Sequence, residues 1–190
     1  SVDVTVTAAP SAPVAANPSP ICENDATPVL TAAGTSIQWY DDAALTNLVF
    51  SGSPYTPLPA QVDNTTSGTY LLYATQTVAG CESPATLVSV VVNPELIASA
   101  GADRTICDGE TTILGGAPTA TGGSGTYTYS WSPVGNLDDA TIANPTFTSA
   151  GPGGPTTYTV TVTDPNGCTD NASVDVTVTA APSAPVAANP

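Results

Sequence analysis

The four cysteines are the residues of this chain that could form covalent links. They stand at positions 22, 81, 107 and 168, and no two are close enough for the C-x₂₋₄-C spacing of a zinc site. Four cysteines allow three disulfide pairings. Each half of a diverged internal duplication contributes two of them, which favours Cys22 with Cys81 and Cys107 with Cys168. A bridge between Cys81 and Cys107 is the main alternative.

Carboxylates are the other abundant reactive groups. The chain has 16 acidic side chains and a net charge of −15. Two aspartate pairs, Asp41-Asp42 and Asp138-Asp139, each follow a tryptophan-containing segment. Calcium binds loop carboxylates and carbonyls, whereas a glycosidase needs two carboxylates at a set separation in a cleft. We interpret these four aspartates primarily as turn-forming and solubilising residues. Calcium binding at these positions is the weaker alternative. We expect no other cofactor or metal.

The residues that the sequence lacks exclude several functions. With no histidine or lysine, the chain cannot build a serine–histidine or cysteine–histidine nucleophile or a Schiff base. The single basic residue, Arg104, cannot neutralise a nucleic acid backbone. No apolar run is long enough to span a membrane. We therefore expect neither an enzyme nor a nucleic-acid-binding or membrane-inserted protein.

Two levels of repetition define the expected domains. Residues 1–18 and 173–190 are identical, with an offset of 172 residues, which indicates a segment of a tandem array. A diverged repeat of about 86 residues lies inside this unit, carried by the cysteine and tryptophan segments. We predict a strand of the preceding repeat at 1–7, domains at 8–93 and 94–180, and the start of the next repeat at 181–190.

The periodicity of the apolar residues predicts strands. Valines alternate with threonines in segments 158–164 and 173–179, which is typical of half-buried strands, and Pro165-Asn166-Gly167 supplies a turn between them. Segments 70–78 and 86–92, joined at Ala79-Gly80, repeat the pattern. The 19 prolines leave little room for helices. The sequence predicts an all-β fold of two tandem immunoglobulin-like β-sandwiches.

Each half has one tryptophan and one tyrosine at matching positions, and these are expected in the cores. They are Trp39 and Tyr70 in the first half, and Trp131 and Tyr158 in the second. A large aromatic near the middle of a small sandwich usually packs inside it. A sugar-stacking surface is the alternative for the tryptophans.

These residues resemble two families of bacterial surface modules. Residues 100–109, the segment 129–133 around Trp131, and the strand and turn at 158–168 look like a polycystic-kidney-disease-type (PKD-like) domain. The segments at 21–23, 39–40 and 80–84 are similar to the immunoglobulin-like modules found beside it. The resemblance implies tandem repeats of Bacteroidota cell-surface proteins, including gliding-motility adhesins.

We therefore expect a structural repeat of a long cell-surface filament or adhesin stalk that acts as a disulfide-stapled, load-bearing spacer. The expected partners are adjacent copies of the same repeat, and surface glycans are a further option. Disulfides imply an extracellular location, and the resemblance implies the bacterial surface. The alternative is a glycan- or calcium-dependent adhesive binding module, which a glycan array on the isolated unit would detect.

Overall fold

The computed structural model describes Val6 and residues 8–183, and within these residues every regular element is a β-strand. The chain divides into two units, of which the first extends to Pro94 and the second starts at Glu95. The predicted domain boundary at 93/94 lies one residue away. The predicted strand at 1–7 falls, apart from Val6, outside the described residues, as do residues 184–190.

The described residues of unit 1 form eight strands built around one large sheet. Strand β2 pairs in parallel with β8, and the sheet continues through β6 and β4 to β5, while β7 pairs with β6 and β1 pairs separately with β3. The strands are β1 Val14–Ala15, β2 Ile21–Cys22, β3 Ala32–Ala33, β4 Ile37–Tyr40, β5 Leu48–Ser51, β6 Gly68–Val78, β7 Cys81–Glu82 and β8 Thr86–Asn93.

Unit 2 repeats this plan. Its main sheet has the order β10-β16-β15-β13. As in unit 1, the strand of this sheet that comes first in the sequence, β10, pairs in parallel with the strand that comes last, β16. Two-stranded sheets β11-β14 and β12-β9 complete the unit. The strands are β9 Leu96–Ala98, β10 Arg104–Cys107, β11 Thr111–Ile113, β12 Ala120–Gly122, β13 Thr128–Ser132, β14 Thr146–Thr148, β15 Gly153–Thr163 and β16 Thr169–Thr179.

The alternating pattern places the valines as the sequence predicts. In unit 2 the alternating residues of β15 and β16 are buried, among them Val160, Val162, Val174 and Val176. Threonines and other polar residues take the opposite face, where cross-strand hydroxyl hydrogen bonds such as Thr159 with Ser173 connect the two strands. The prediction that segments 158–164 and 173–179 belong to neighbouring antiparallel strands is confirmed, but the register differs from the predicted one. Only Tyr158 and Thr159 pair within segment 173–179, with Val174 and Ser173, whereas residues 160–163 pair with 169–172. The all-β fold of two tandem immunoglobulin-like domains is likewise confirmed.

The two predicted turns close the hairpins in different ways. Ala79 and Gly80, with φ of 50° and 79°, form a two-residue loop between the paired residues Val78 and Cys81. Positive φ at both central residues is the geometry of a type I′ hairpin turn. In unit 2, Gly167 has φ of 87° and donates its backbone N–H to the carbonyl of Asp164. Both turns set the position of the cysteine that follows them.

Candidate functional site

The cysteines lie at the ends of the units, and their pairing differs from the prediction. Cys22 and Cys168 are disulfide-bonded, whereas Cys81 and Cys107 are half-buried free thiols. The predicted bridges Cys22–Cys81 and Cys107–Cys168 are therefore wrong for this structure, and so is the alternative Cys81–Cys107.

The direction of the strands explains the error in unit 1. Cys22 pairs with Asn93, at the C-terminal end of β8, next to where β6 begins. Cys81 pairs with Val78, at the other end of the eleven-residue strand β6. Ten residues of extended chain separate these two ends by ~33 Å. A disulfide needs Cα atoms within about 7 Å of each other, so Cys22 and Cys81 cannot be bridged.

Unit 2 has the same geometry. Cys107 pairs with Thr179, the last residue of β16, whereas Cys168 stands immediately before the first. Eleven residues of strand again separate the two cysteines by ~36 Å. In each unit, the first strand of the main sheet runs parallel to the last strand, as β2 does to β8 and β10 to β16. Each unit therefore has one cysteine at each end of its main sheet.

The two end positions have a matching local structure in both units. The backbone N–H of Cys22 donates to the Asp25 carboxylate at 3.0 Å, and that of Cys107 donates to the Glu110 carboxylate at 3.3 Å. We call these first-strand cysteines. Cys81 and Cys168 both follow a glycine with positive φ at the corner of the hairpin between the long strands. We call these corner cysteines.

The chain enters unit 1 at the end that carries its corner cysteine. The side-chain amide of Gln76, two residues before Val78, donates to the Ser11 carbonyl at 2.7 Å. The hydroxyl of Thr86, the first residue of β8, donates to the Pro13 carbonyl. The chain leaves β8 at Asn93, seven residues and ~23 Å further along the sheet.

Unit 2 is also entered and left at opposite ends. The N–H of Ala98 in β9 donates to the carboxylate of Asp170 at 2.8 Å, near the start of β16. The chain leaves that unit at Thr179, at the far end of the same strand. Nine residues of extended chain between Asp170 and Thr179 span ~30 Å. Each unit therefore adds the length of its own sheet to the path of the chain.

The paired aspartates build their own turns. The Asp42 carboxylate accepts hydrogen bonds from the N–H groups of Thr46 and Asn47, at 3.0 and 2.8 Å, and Asp41 accepts the Asn47 side-chain amide at 2.7 Å. These bonds, above all the one from the Asn47 backbone, hold the pKa of Asp42 below its ordinary value. The carboxylates therefore have a structural role that needs no ion.

Asp138 and Asp139 are used in the same way. Asp138 accepts the Thr146 N–H at 2.7 Å, and Asp139 accepts the N–H and hydroxyl of Thr141 at 2.8 and 2.6 Å. The hydrogen bonds from Thr146 and Thr141 lower the pKa of the respective carboxyls. Within the described residues no three side chains of histidine, cysteine, aspartate or glutamate form a metal-binding group. Calcium binding at these turns stays a prediction.

The tryptophans belong to the cores and offer no surface for stacking a sugar. Trp39 is fully buried and its indole N–H donates to the Gly52 carbonyl at 3.0 Å. Trp131 is buried and donates to the Ile142 carbonyl at 3.0 Å. Tyr158, in β15, is buried, and its hydroxyl donates to the Gly135 carbonyl at 2.8 Å.

Tyr70 departs from the expected core position. It lies near the start of β6 and is only half-buried, so that it packs against the edge of the unit 1 core. Its hydroxyl donates to the Thr66 carbonyl at 2.8 Å. A residue at the end of a strand has core on one side only, which explains the partial exposure.

A buried carboxylate at the unit 2 corner was not singled out from the sequence as a site. Asp164 is 5% exposed and accepts hydrogen bonds from the N–H groups of Asn166 and Cys168, both at 2.9 Å. It also accepts the N–H and hydroxyl of Ser124, at 3.0 and 2.8 Å. Burial raises the pKa of Asp164, but these hydrogen bonds outweigh it and leave the pKa below its ordinary value.

The comparisons with known proteins assign a family model to each unit. Residues 10–94 match the model described as Ig-like domain CHU_C associated, and residues 100–178 match the model described as K319L-like, PKD domain. Among curated proteins none matches the chain. The chain thus consists of an immunoglobulin-like repeat followed by a PKD-like repeat.

Several solved structures match the chain at low identity. Extracellular domains 3–5 of Drosophila OTK are 13% identical, with a TM-score of 0.44, and the match covers 87% of this chain and 60% of that one. The PKD domain of the KIAA 1837 protein is 27% identical over 46% of this chain and 92% of its own, with a TM-score of 0.38. The fibronectin(III)-like modules of Clostridium thermocellum CbhA are 16% identical over 87% and 91% of the two chains, with a TM-score of 0.37.

These findings indicate the cellular compartment. Disulfide bonds form and persist in oxidising surroundings outside the cytosol, and this structure has disulfide-bonded cysteines in modules of the immunoglobulin and PKD types. The protein is therefore a secreted or cell-surface protein. No helix in the described part of the chain could span a membrane.

Proposed function

We propose that the chain is a non-catalytic repeat of a long filament or adhesin stalk on a bacterial cell surface, of the kind that the resemblance to Bacteroidota surface proteins and gliding-motility adhesins implies. Its work is to span distance and carry load. Adjacent copies of the same repeat are its partners.

One observation carries this proposal, namely that the chain enters and leaves each unit at opposite ends of its main sheet. The chain enters unit 1 beside Gln76 and leaves it at Asn93, and it enters unit 2 beside Asp170 and leaves at Thr179. A module of this kind lengthens a tandem array with every copy. A module whose ends lie side by side would not.

The parallel terminal strands support the load-bearing part of the proposal. Pulling on the two ends of a unit slides β2 against β8, or β10 against β16, along their length. The hydrogen bonds of each parallel pair then share the force and must break together. This is a stronger arrangement than a hairpin pulled from its open end, where the bonds break one at a time.

Chains of one, two and four consecutive copies test the spacer function. An eleven-residue strand spans ~36 Å, so with its loops each unit is about 40 Å long, and each added copy should lengthen the array by about 80 Å. Electron micrographs and small-angle scattering at physiological ionic strength should show this constant increment.

A single copy with the same tags serves as the control for the instrument and the buffer. A maximum dimension that grows more slowly than the number of copies would contradict the proposal, because it would mean that the modules pack side by side. The binding-module alternative would instead give a specific glycan-array hit with the single copy.

A further inference from the structure

The two free cysteines occupy positions whose counterparts in the other unit form disulfides. Cys107 is a first-strand cysteine like Cys22, and Cys81 is a corner cysteine like Cys168. Cys22 and Cys168 are disulfide-bonded in this structure, whereas Cys81 and Cys107 are free and half-buried. Both types of position are therefore suited to disulfide formation, and each has one member that remains a thiol here.

The path of the chain indicates the partner that each thiol has in an array. Because residues 173–190 repeat 1–18, Thr179 is followed in the next copy by the segment that begins at Ala8, and Ser183 corresponds to Ser11. Cys107 lies beside Thr179, with 3.9 Å between its Sγ and the threonine Oγ1. The first-strand cysteine of unit 2 therefore stands where the chain leaves that unit.

The corner cysteine of unit 1 stands where the chain enters. Ser11 is held by the Gln76 side chain, and Cys81 pairs with Val78, two residues further along β6. Only four residues separate Thr179 from Ser183, a reach of at most ~14 Å. The end of one copy that carries Cys107 is thus tied by a short segment to the end of the following copy that carries Cys81.

The segment containing Cys81 is firmly held, so the thiol has a defined position. The Glu82 carboxylate accepts the hydroxyls of Thr75 and Tyr40, at 2.7 and 3.0 Å. The backbone of Ser83 donates to the Gln76 carbonyl at 2.9 Å. A cysteine fixed in this way loses little conformational freedom when it forms a bond.

We propose that Cys107 of one copy and Cys81 of the following copy form a disulfide, so that consecutive copies are joined by a second covalent connection beside the peptide chain. This inference rests on the proposed function, because it requires tandem copies. The two thiols together give up two protons and two electrons to a disulfide oxidant, which is reduced to two thiols. The bridge would hold the short segment between copies at a fixed span.

A chain of two consecutive copies tests the bridge. In the junction variant, Cys81→Ala in the first copy and Cys107→Ala in the second leave only the proposed pair beside the existing disulfides. In the matched control, Cys107→Ala in the first copy and Cys81→Ala in the second leave the two outermost cysteines. The two variants have identical amino-acid composition. Circular dichroism checks that both retain the β-sheet content of the unsubstituted two-copy chain.

Both variants are refolded at low concentration in a buffer of glutathione and glutathione disulfide, and the monomeric fraction is denatured and labelled with a maleimide. The junction variant should have no reactive thiol and the control should have two. Digestion with pepsin at low pH, where thiol–disulfide exchange is slow, should yield a peptide that links positions 107 and 81.

Two labelled thiols in the junction variant, or equal loss of thiols in both variants, would overturn the proposed bridge. The lengths of the multi-copy arrays separate this result from a failure of the spacer function. A constant increment per copy together with two reactive thiols would reject the bridge alone.

Discussion

At the scale of single residues, Asp164 shows how a buried charge can be structural. It sits at the corner of the hairpin between β15 and β16 and joins that corner to Ser124, 40 residues away in the sequence. An isolated buried carboxylate is costly, but three backbone N–H groups and one hydroxyl solvate this one. The same bonds place Cys168 at the end of the unit.

Replacing Asp164 with alanine should lower the free energy of unfolding of unit 2 by about 2 kcal/mol, because it leaves the N–H groups of Ser124, Asn166 and Cys168 without their acceptor. Urea unfolding followed by the NMR signals of the β16 amides measures unit 2 separately. Unchanged stability would mean that water replaces the carboxylate. Asp103→Ala is the comparison variant: it removes an exposed carboxylate that accepts one backbone N–H, that of Asp175 at 3.0 Å, and should cost less than Asp164→Ala.

The pH dependence follows from the direction of the same pKa. Because the pKa of Asp164 is lower in the folded than in the unfolded state, the unfolded chain binds more protons at acidic pH. The stabilisation is therefore complete above the unfolded value of about 4 and is lost as the pH falls towards the folded value. The stability difference between the wild type and Asp164→Asn should shrink over that interval.

At the scale of elements, the hairpin corner of unit 1 contains a residue poorly suited to its backbone. Ala79 has φ of 50°, a left-handed conformation in which a Cβ costs roughly 1 to 2 kcal/mol. The following residue, Gly80, meets the same requirement without cost. Asparagine followed by glycine is the pair that a type I′ turn prefers.

Ala79→Asn should therefore raise the free energy of unfolding of unit 1 by about 0.5 to 1 kcal/mol, since asparagine tolerates the left-handed region better than alanine. Urea unfolding followed at the β6 amides measures this change. Ala44→Asn places the same side chain at an exposed turn residue without positive φ and should have little effect. Equal responses of the two variants would contradict the argument from the turn.

The strands and turns could be predicted because their signals are local. Alternation of valine with polar residues defines β15 and β16, and glycine marks the corner of the hairpin in each unit. The cysteine pairing could not be predicted, because sequence separation does not reveal that β2 and β10 run parallel to the last strand of their units. The hydrogen bonds between Ser124 and Asp164 could not be predicted either, because only the folded chain brings these two residues, 40 positions apart, together.

At the scale of the whole molecule, the two units follow one another along the chain, so a force applied to the ends of the chain would act on both. Their parallel terminal pairs differ in length. In unit 1, β2 pairs with β8 over two residues, Ile21 and Cys22. In unit 2, β10 pairs with β16 over four residues, from Arg104 to Cys107. One further backbone bond extends each pair, from Glu23 to Asn93 and from Asp108 to Thr179.

Unit 1 should therefore unfold at a lower force than unit 2 when the chain is pulled from its ends. Single-molecule force spectroscopy in reducing buffer, in which no disulfide carries the load, measures the two events. The units are of similar length, so a marker is needed to tell them apart. Ten glycines inserted after Gly125, an exposed position with no neighbouring atom at its missing Cβ, should lengthen only the unit 2 event by ~35 Å.

The lengthened event should come second in most traces, because the longer parallel register has more hydrogen bonds that must break at once. The unmodified chain, which gives two events of similar length, is the control. A lengthened event that comes first would show that register length does not set the mechanical order. The mechanical order would then have to be set by other contacts, such as the hydrogen bonds that attach the Ser11–Pro13 segment to Gln76 and Thr86.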